Sequence, residues 1–398
     1  MTLEETKLKR KLSSLGEGDY REIFVEVSSL YEIKDIEGKI FQRRVDSYGS
    51  SARLINDGKE YIFSRASLFP DEVQEATTFP QHDYFFLLKI QRDIRKNLNR
   101  GEITLRSVKK QVFIYNDEGM KQKEEGYLSV KLKDNGVTLR RISSGKTPSW
   151  QYLTNEFLSW LEDKKKAKPL PKSGEMFFLL EGAAASVFAH EVFWHPLELD
   201  CILEGKSVFS LNNIGEKIFP DSLSLYTEGG WIDDEGNDIG EAILVERGIL
   251  RGFPTTRLAA TIAGLPQIPH GRRESFSQPP LVRPFYTVIK PGKESYLDLI
   301  VKIKKGAYIT EISGAEIDFK NNLAIFEVSR AYMVLNGRVK YPLSPFFMMV
   351  ALPIQDGDIF IGAEEYKEEG LFCHKNGQVV RYSSNNPNFL VRGYGKPL

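Results

Sequence analysis

Residues 188–200, FAHEVFWHPLELD, place two histidines and a glutamate in a stretch that is otherwise nearly all apolar. Between Gly182 and His195 only Ser186, His190, Glu191 and His195 are polar, so the segment reads as a buried helix. An unpaired polar group in such a place costs about 1–3 kcal/mol, so these side chains must have partners or a ligand. His-Glu-x-x-x-His is close to the zinc-peptidase pattern His-Glu-x-x-His, where histidines at i and i+4 share one helix face and hold an ion while the glutamate activates water. Here the interval is five, and on a regular helix that leaves the imidazoles about 140° apart. A shared ion therefore requires a break, for which a π-bulge between His190 and His195 suffices. Pro196 adds to this, because it cannot donate to the Val192 carbonyl and biases His195 away from helical backbone. The competing reading of the same residues is a hydrogen-bonded network with no ion.

A catalytic zinc takes three protein ligands and leaves a fourth position for water. Of the two cysteines, Cys201 lies in the apolar run LDCIL and reads as packed core. Cys373, in LFCHKNGQVVRY, falls at a strand end beside the Asn376-Gly377 turn, where it is either a ligand or a small core residue. His374 points to the opposite strand face and does not suit a thiol–base pair with it. Glu198 and Asp200 are either groups that orient a ligand histidine or the start of the exposed chain after the helix. The acidic GGWIDDEGNDIG, 229–240, does not fit a calcium loop and reads as a solvated turn. HGRRESF, 270–276, reads as a surface loop, its alternative being a basic loop near the cleft.

These residues need elements to position them. Residues 21–64 alternate apolar and polar, with Asp57-Gly58 as a hairpin turn, and two more strand pairs follow around Asp117–Gly119 and Asn135-Gly136. Helices are expected over 84–99 and 149–168, the latter from Trp150, Leu153, Phe157 and Leu161. EDKKKAKPLPKSG, 162–174, is the best linker. The expected fold is α+β: an N-terminal domain over 1–170 with antiparallel sheet and helices, then a mainly β C-terminal domain over 171–398 carrying one buried metal-binding helix. Segments such as LDLIVKIKKGAYITEI read as strand, and SPFFMMVALPI, 344–354, as a buried strand or an interface.

The 398 residues are 41% hydrophobic and 27% charged, and 54 basic residues balance 54 acidic ones. No overall field draws the chain to nucleic acid, so direct nucleic-acid binding is not expected. No membrane span or apolar leader is read, and with two cysteines no disulfide framework, so the expected location is cytoplasmic.

Taken together the motifs resemble the TldD/PmbA family of metalloproteases, the modulators of DNA gyrase, over most of 176–398. His190, Glu191, His195, Glu198 and Asp200 match its His-Glu-x-x-x-His helix with the following Glu-x-Asp; DDEGNDIGEAILVERGILRG, 233–252, matches its DDEG turn and GxLxG; and Cys373, Lys375, Gly377 and Gln378 match its late cysteine motif. Trp194 stands where the family commonly has glycine. The resemblance implies zinc on His190, His195 and Cys373, Glu191 as catalytic base, and the TldD-like catalytic type. It also implies unfolded or flexible peptides as substrates, and a homodimer or a heterodimer with a PmbA-like subunit. The alternatives are a non-catalytic regulatory or binding subunit and a cysteine hydrolase using Cys373.

Overall fold

The computed structural model describes residues 3–65, 82–144 and 149–398. Six strands, β1 Tyr20–Ile36, β2 Lys39–Asn56, β3 Lys59–Arg65, β4 Glu102–Asn116, β5 Gly119–Asp134 and β6 Val137–Ser143, form an antiparallel sheet in the order β3-β2-β1-β4-β5-β6. The hairpin pairs expected to turn the chain do so: Asp57 and Gly58 have φ of 49° and 69°, Asn135 and Gly136 of 46° and 69°, the left-handed backbone that a two-residue hairpin requires. The helices His82–Arg95 and Trp150–Lys166 lie on this sheet, and Leu87, Ile90, Ile94, Leu153, Phe157 and Trp160 pack against Ile33, Leu105, Val130 and Leu139.

The second, 11-stranded sheet begins at β7, Gly174–Leu180. From β7 the pairing runs in parallel to Lys305–Asp318, then antiparallel through Leu323–Leu335, Phe346–Ala351 and Gln378–Pro397, and from there back to β7. These five strands thus close a circuit. Phe178, Ala307, Ile309, Phe326, Val328, Met348, Val350, Phe389 and Val391 pack in one core with Ala184, Ala185, Phe188 and Val192 of the helical segment after β7. SPFFMMVALPI forms the buried strand Phe346–Ala351 within it.

LDLIV departs from its strand reading. Tyr296–Ile300 is a short helix because Ser295 caps it, accepting from the Asp298 N–H while Asp298 accepts from the Ser295 N–H. The DDEG turn is not solvated: Asp233, Asp234 and Glu235 are buried against the first sheet, where Glu235 meets Arg53 at 2.6 Å and Asp234 meets Lys123 at 2.6 Å. Nor is HGRRESF an ordinary surface loop, since His270, Arg272 and Arg273 are buried and Arg273 pairs with Glu22 of β1. In both cases charges distant in sequence neutralise one another, which local hydropathy does not reveal. No helix among the described residues is long and apolar enough to cross a membrane.

Candidate metal centre

The helix Gly182–Ala189 enters directly from β7 and is buried through Ala184, Ala185, Ser186, Phe188 and Ala189. It then widens into a π-helical turn over His190–Trp194, closed by the His195 N–H donating to the His190 carbonyl. A 3-10 turn, His195–Leu197, follows around Pro196. The inserted residue brings positions five apart back onto one face, and the two imidazoles lie with centroids 4.3 Å apart.

Cys373 arrives from the strand Ile359–Lys375, two residue pairs before Lys375 and Gln378 close the Asn376-Gly377 turn. Its Sγ is 3.4 Å from His195 Nε2. One ligand atom from each of His190, His195 and Cys373 falls in a group no more than 4.8 Å across. Ligands of a tetrahedral zinc, at about 2.0–2.3 Å from the ion, stand roughly 3.3–3.6 Å from one another, so the spacing suits such an ion. Both ring nitrogens of His190 are buried without a hydrogen-bond partner, an orphaned state that a metal bond would relieve. Two imidazoles and a thiol form a donor set for zinc-like ions rather than calcium or magnesium.

Around this cluster the charges are tightly arranged. The buried Glu198 carboxylate accepts from Trp194 Nε1 at 2.9 Å and Lys375 Nζ at 2.7 Å, and lies 2.8 Å from His195 Nδ1. That contact calls for a proton on His195 Nδ1 and turns Nε2 toward Cys373. Burial opposes charge on the ring, but Glu198, Cys373 and Glu191 outweigh it and raise its pKa well above the usual imidazole value, so a metal ion would have to displace the Nε2 proton. Lys375 Nζ also donates to Asp200 at 2.7 Å. The carboxylates of Glu198 and Asp200 and the Cys201 thiol cluster too, but the Lys375 ammonium already bridges the two acids, so this second group is an ion-pair network. Burial opposes charge on Glu198, yet His195 and Lys375 outweigh it and hold the carboxyl well below its usual range. Burial pushes the Cys201 thiol up, in keeping with its reading as packed core. Burial above all, aided by His195, pulls the His190 pKa well below the usual imidazole value, so the ring is neutral and able to ligate.

The cluster opens on a cleft of about 780 Å³. Glu191, His190, His195 and Tyr382 line it beside Glu311–Ile317 of the second sheet and Lys131, Thr138 and Arg140–Ile142 of the first. Two residues escaped sequence reasoning. Arg283, fully buried, donates to the carbonyls of Cys373 and Lys375, and Tyr382 stacks on His190 with centroids 4.3 Å apart and planes 17° apart. A lone arginine or tyrosine in a strand-like run carries no spacing signal; only the fold brings them to the site.

The description of the family model that matches residues 173–353 is the PmbA/TldA metallopeptidase C-terminal domain. A metalloprotease TldD homolog of Buchnera aphidicola is 29% identical over 229 residues, 55% of this chain and 47% of its own length. A zinc metalloprotease TldD homolog of Saccharolobus solfataricus is 30% identical over 234 residues, 56% of this chain and 51% of its own. The matched region thus spans about half the length of these relatives. TldE from Thermococcus kodakarensis has the same fold, with a TM-score of 0.72 at 16% identity over 98% of this chain and 99% of that one. With the His-Glu-x-x-x-His turn, the late cysteine and the α+β architecture in place, residues 173–353 of the chain match the C-terminal domain of the TldD/PmbA family.

Proposed function

We propose that this chain is a zinc-dependent peptidase of the TldD-like catalytic type acting on unfolded or flexible peptides, with His190, His195 and Cys373 as ligands and Glu191 as general base. The observation that carries the reading is the convergence of two imidazoles and a thiol, one of the imidazoles with no other partner, at the wall of a cleft that Glu191 also lines. A zinc ion held there would supply Lewis acidity, lowering the pKa of a water and polarising the scissile carbonyl. Glu191 takes the proton of the attacking water and passes it to the leaving amine. A second feature supports an extended substrate. Lys305–Asp318 pairs along one edge with Leu323–Leu335, but along the other it meets β7 only at Gly306–Ile309. Glu311–Ile317 lie beyond that pairing and line the cleft, so a peptide can add there as a strand through its backbone with little demand on sequence. The domain boundary near 170, a dimeric assembly with itself or with a PmbA-like subunit, and a cytoplasmic location belong to the same proposal.

The 3.4 Å thiol–imidazole contact also favours a second reading, a cysteine hydrolase using Cys373 with His195. Glu191→Gln separates the two. For the zinc peptidase it removes hydrolysis of an unstructured peptide by 10² to 10⁴ while about one zinc per chain remains bound; for the thiol enzyme activity survives both the substitution and metal chelation. A variant that retains both zinc and full activity overturns the role of Glu191.

A further inference from the structure

We propose that Tyr382 is a further catalytic residue, its hydroxyl donating a hydrogen bond to the oxyanion formed at the scissile carbonyl; this rests on the peptidase reading above. Tyr382 lies on the strand Gln378–Pro397 directly opposite Leu371, in the register that sets Val380 opposite Cys373. Side chains two apart on a strand share a face, so Tyr382 and Val380 project from the face that presents Cys373. They pack together there with only 2% of Tyr382 exposed. The ring is pinned by its stack on His190. Its hydroxyl has no hydrogen-bond partner among the described residues, although the residue lines the cleft and its oxygen lies within electrostatic reach of Cys373, Glu191 and Glu368.

The other strong donors packed around the histidines are committed. Lys375 is held by Glu198 and Asp200, the Trp194 indole by Glu198, and Arg283 by the carbonyls of Cys373 and Lys375. Arg283 Nε is left without a partner but does not line the cleft, whereas Tyr382 lines it together with Glu191 and, among the described residues, its hydroxyl is unpaired. As water attacks, the new C–O bond forms, the carbonyl π pair moves onto oxygen, and the Tyr382 O–H donates to that oxygen without giving up its proton. Glu191 takes the water's proton and delivers it to the amine as the C–N bond breaks, leaving a carboxylic acid and an amine. A donor fixed in place before charge develops stabilises the transition state more than the ground state.

Tyr382→Phe keeps the stack on His190 and removes only the hydroxyl. On an unstructured peptide it is expected to lower kcat by about 10² to 10³, with KM within about twofold and zinc content unchanged. A phosphinic peptide, whose tetrahedral oxyanion resembles the transition state, should lose affinity by a similar factor in calorimetry, while a product peptide binds as before. Activity of the variant within threefold of wild type, with wild type active, overturns the role of Tyr382 and leaves the peptidase reading standing. Loss of zinc from the variant also overturns it, by making Tyr382 a support for His190. A zinc-loaded wild type with no hydrolysis defeats both.

Discussion

Lys375 Nζ stands 2.7 Å from Glu198 Oε2 and 2.7 Å from Asp200 Oδ1, and this ion pair joins the two segments that carry the candidate ligands. Lys375 follows Cys373 by two strand residues and shares its face; Glu198 follows His195 and contacts its Nδ1. The pair thereby holds His195 Nε2 against Cys373 Sγ before any ion arrives. Lys375→Met, similar in length but uncharged, is expected to weaken zinc binding by about 10- to 100-fold, the usual effect of losing a group that orients a ligand. Competition with a chromophoric chelator checks this, and unchanged affinity would remove the preorganising role.

Between the two sheets the buried charges carry structural weight. Glu235, fully buried, accepts from Arg53 at 2.6 Å and from the Arg257 N–H at 2.8 Å, and its carbonyl accepts from Tyr20 at 2.6 Å. Arg53 keeps Glu60 at 2.5 Å and Glu22 at 3.7 Å, so replacing Glu235 removes buried charge-assisted hydrogen bonds without stranding the arginine, at about 1.5–3 kcal/mol. Glu235→Gln should therefore shift the urea midpoint strongly. Glu246→Gln breaks only the exposed pair with Arg251, where the side chains are 48% and 46% exposed, and should change stability by less than about 1 kcal/mol. Equal midpoint shifts in the two variants would contradict the assignment.

The part of the site legible in the sequence was the part that broke a pattern. His190, Glu191 and His195 stood out because their surroundings are apolar, and their interval of five demanded the π turn found at His190–Trp194. Asp57-Gly58 and Asn135-Gly136 were legible because a two-residue hairpin needs positive φ at both positions. What escaped depends on pairing across the chain. Asp234 looks solvated until Lys123 is placed beside it, and Arg272 reads as a surface charge until the carbonyl of Pro284 accepts from it at 2.8 Å. Tyr382 and Arg283 meet the histidine and cysteine segments only when the strands close.

His270 gives the acid limb of stability a defined sign. Buried completely, with its Nδ1 3.2 Å from the Ile268 carbonyl, it has its pKa lowered to about 4, chiefly by burial. Unfolded, it titrates near 6.5, so the unfolded chain binds the proton first. The contribution is fully present above about pH 6.5 and is lost as pH falls toward 4, amounting to about 3 kcal/mol at most. Urea midpoints measured across this window should fall less steeply for His270→Phe than for wild type. Identical slopes would mean that His270 is not buried neutral.

Arg283 supports the cysteine from the backbone side. Its guanidinium donates to the Cys373 carbonyl and, at 3.4 Å, to that of Lys375, so one side chain grips both ends of the segment that presents the thiol and the Lys375 ammonium. A planar fork makes this grip and a point charge does not. Arg283→Lys keeps the charge but loses the second contact, and with 0% exposure at this position water cannot replace it. The expected outcome is a folded protein whose zinc affinity falls by about tenfold or more, because Cys373 is less firmly aimed. Cobalt substitution offers the check: thiolate-to-metal charge-transfer absorption should weaken or shift in the variant, and a spectrum identical to wild type would show that the strand holds Cys373 without the arginine.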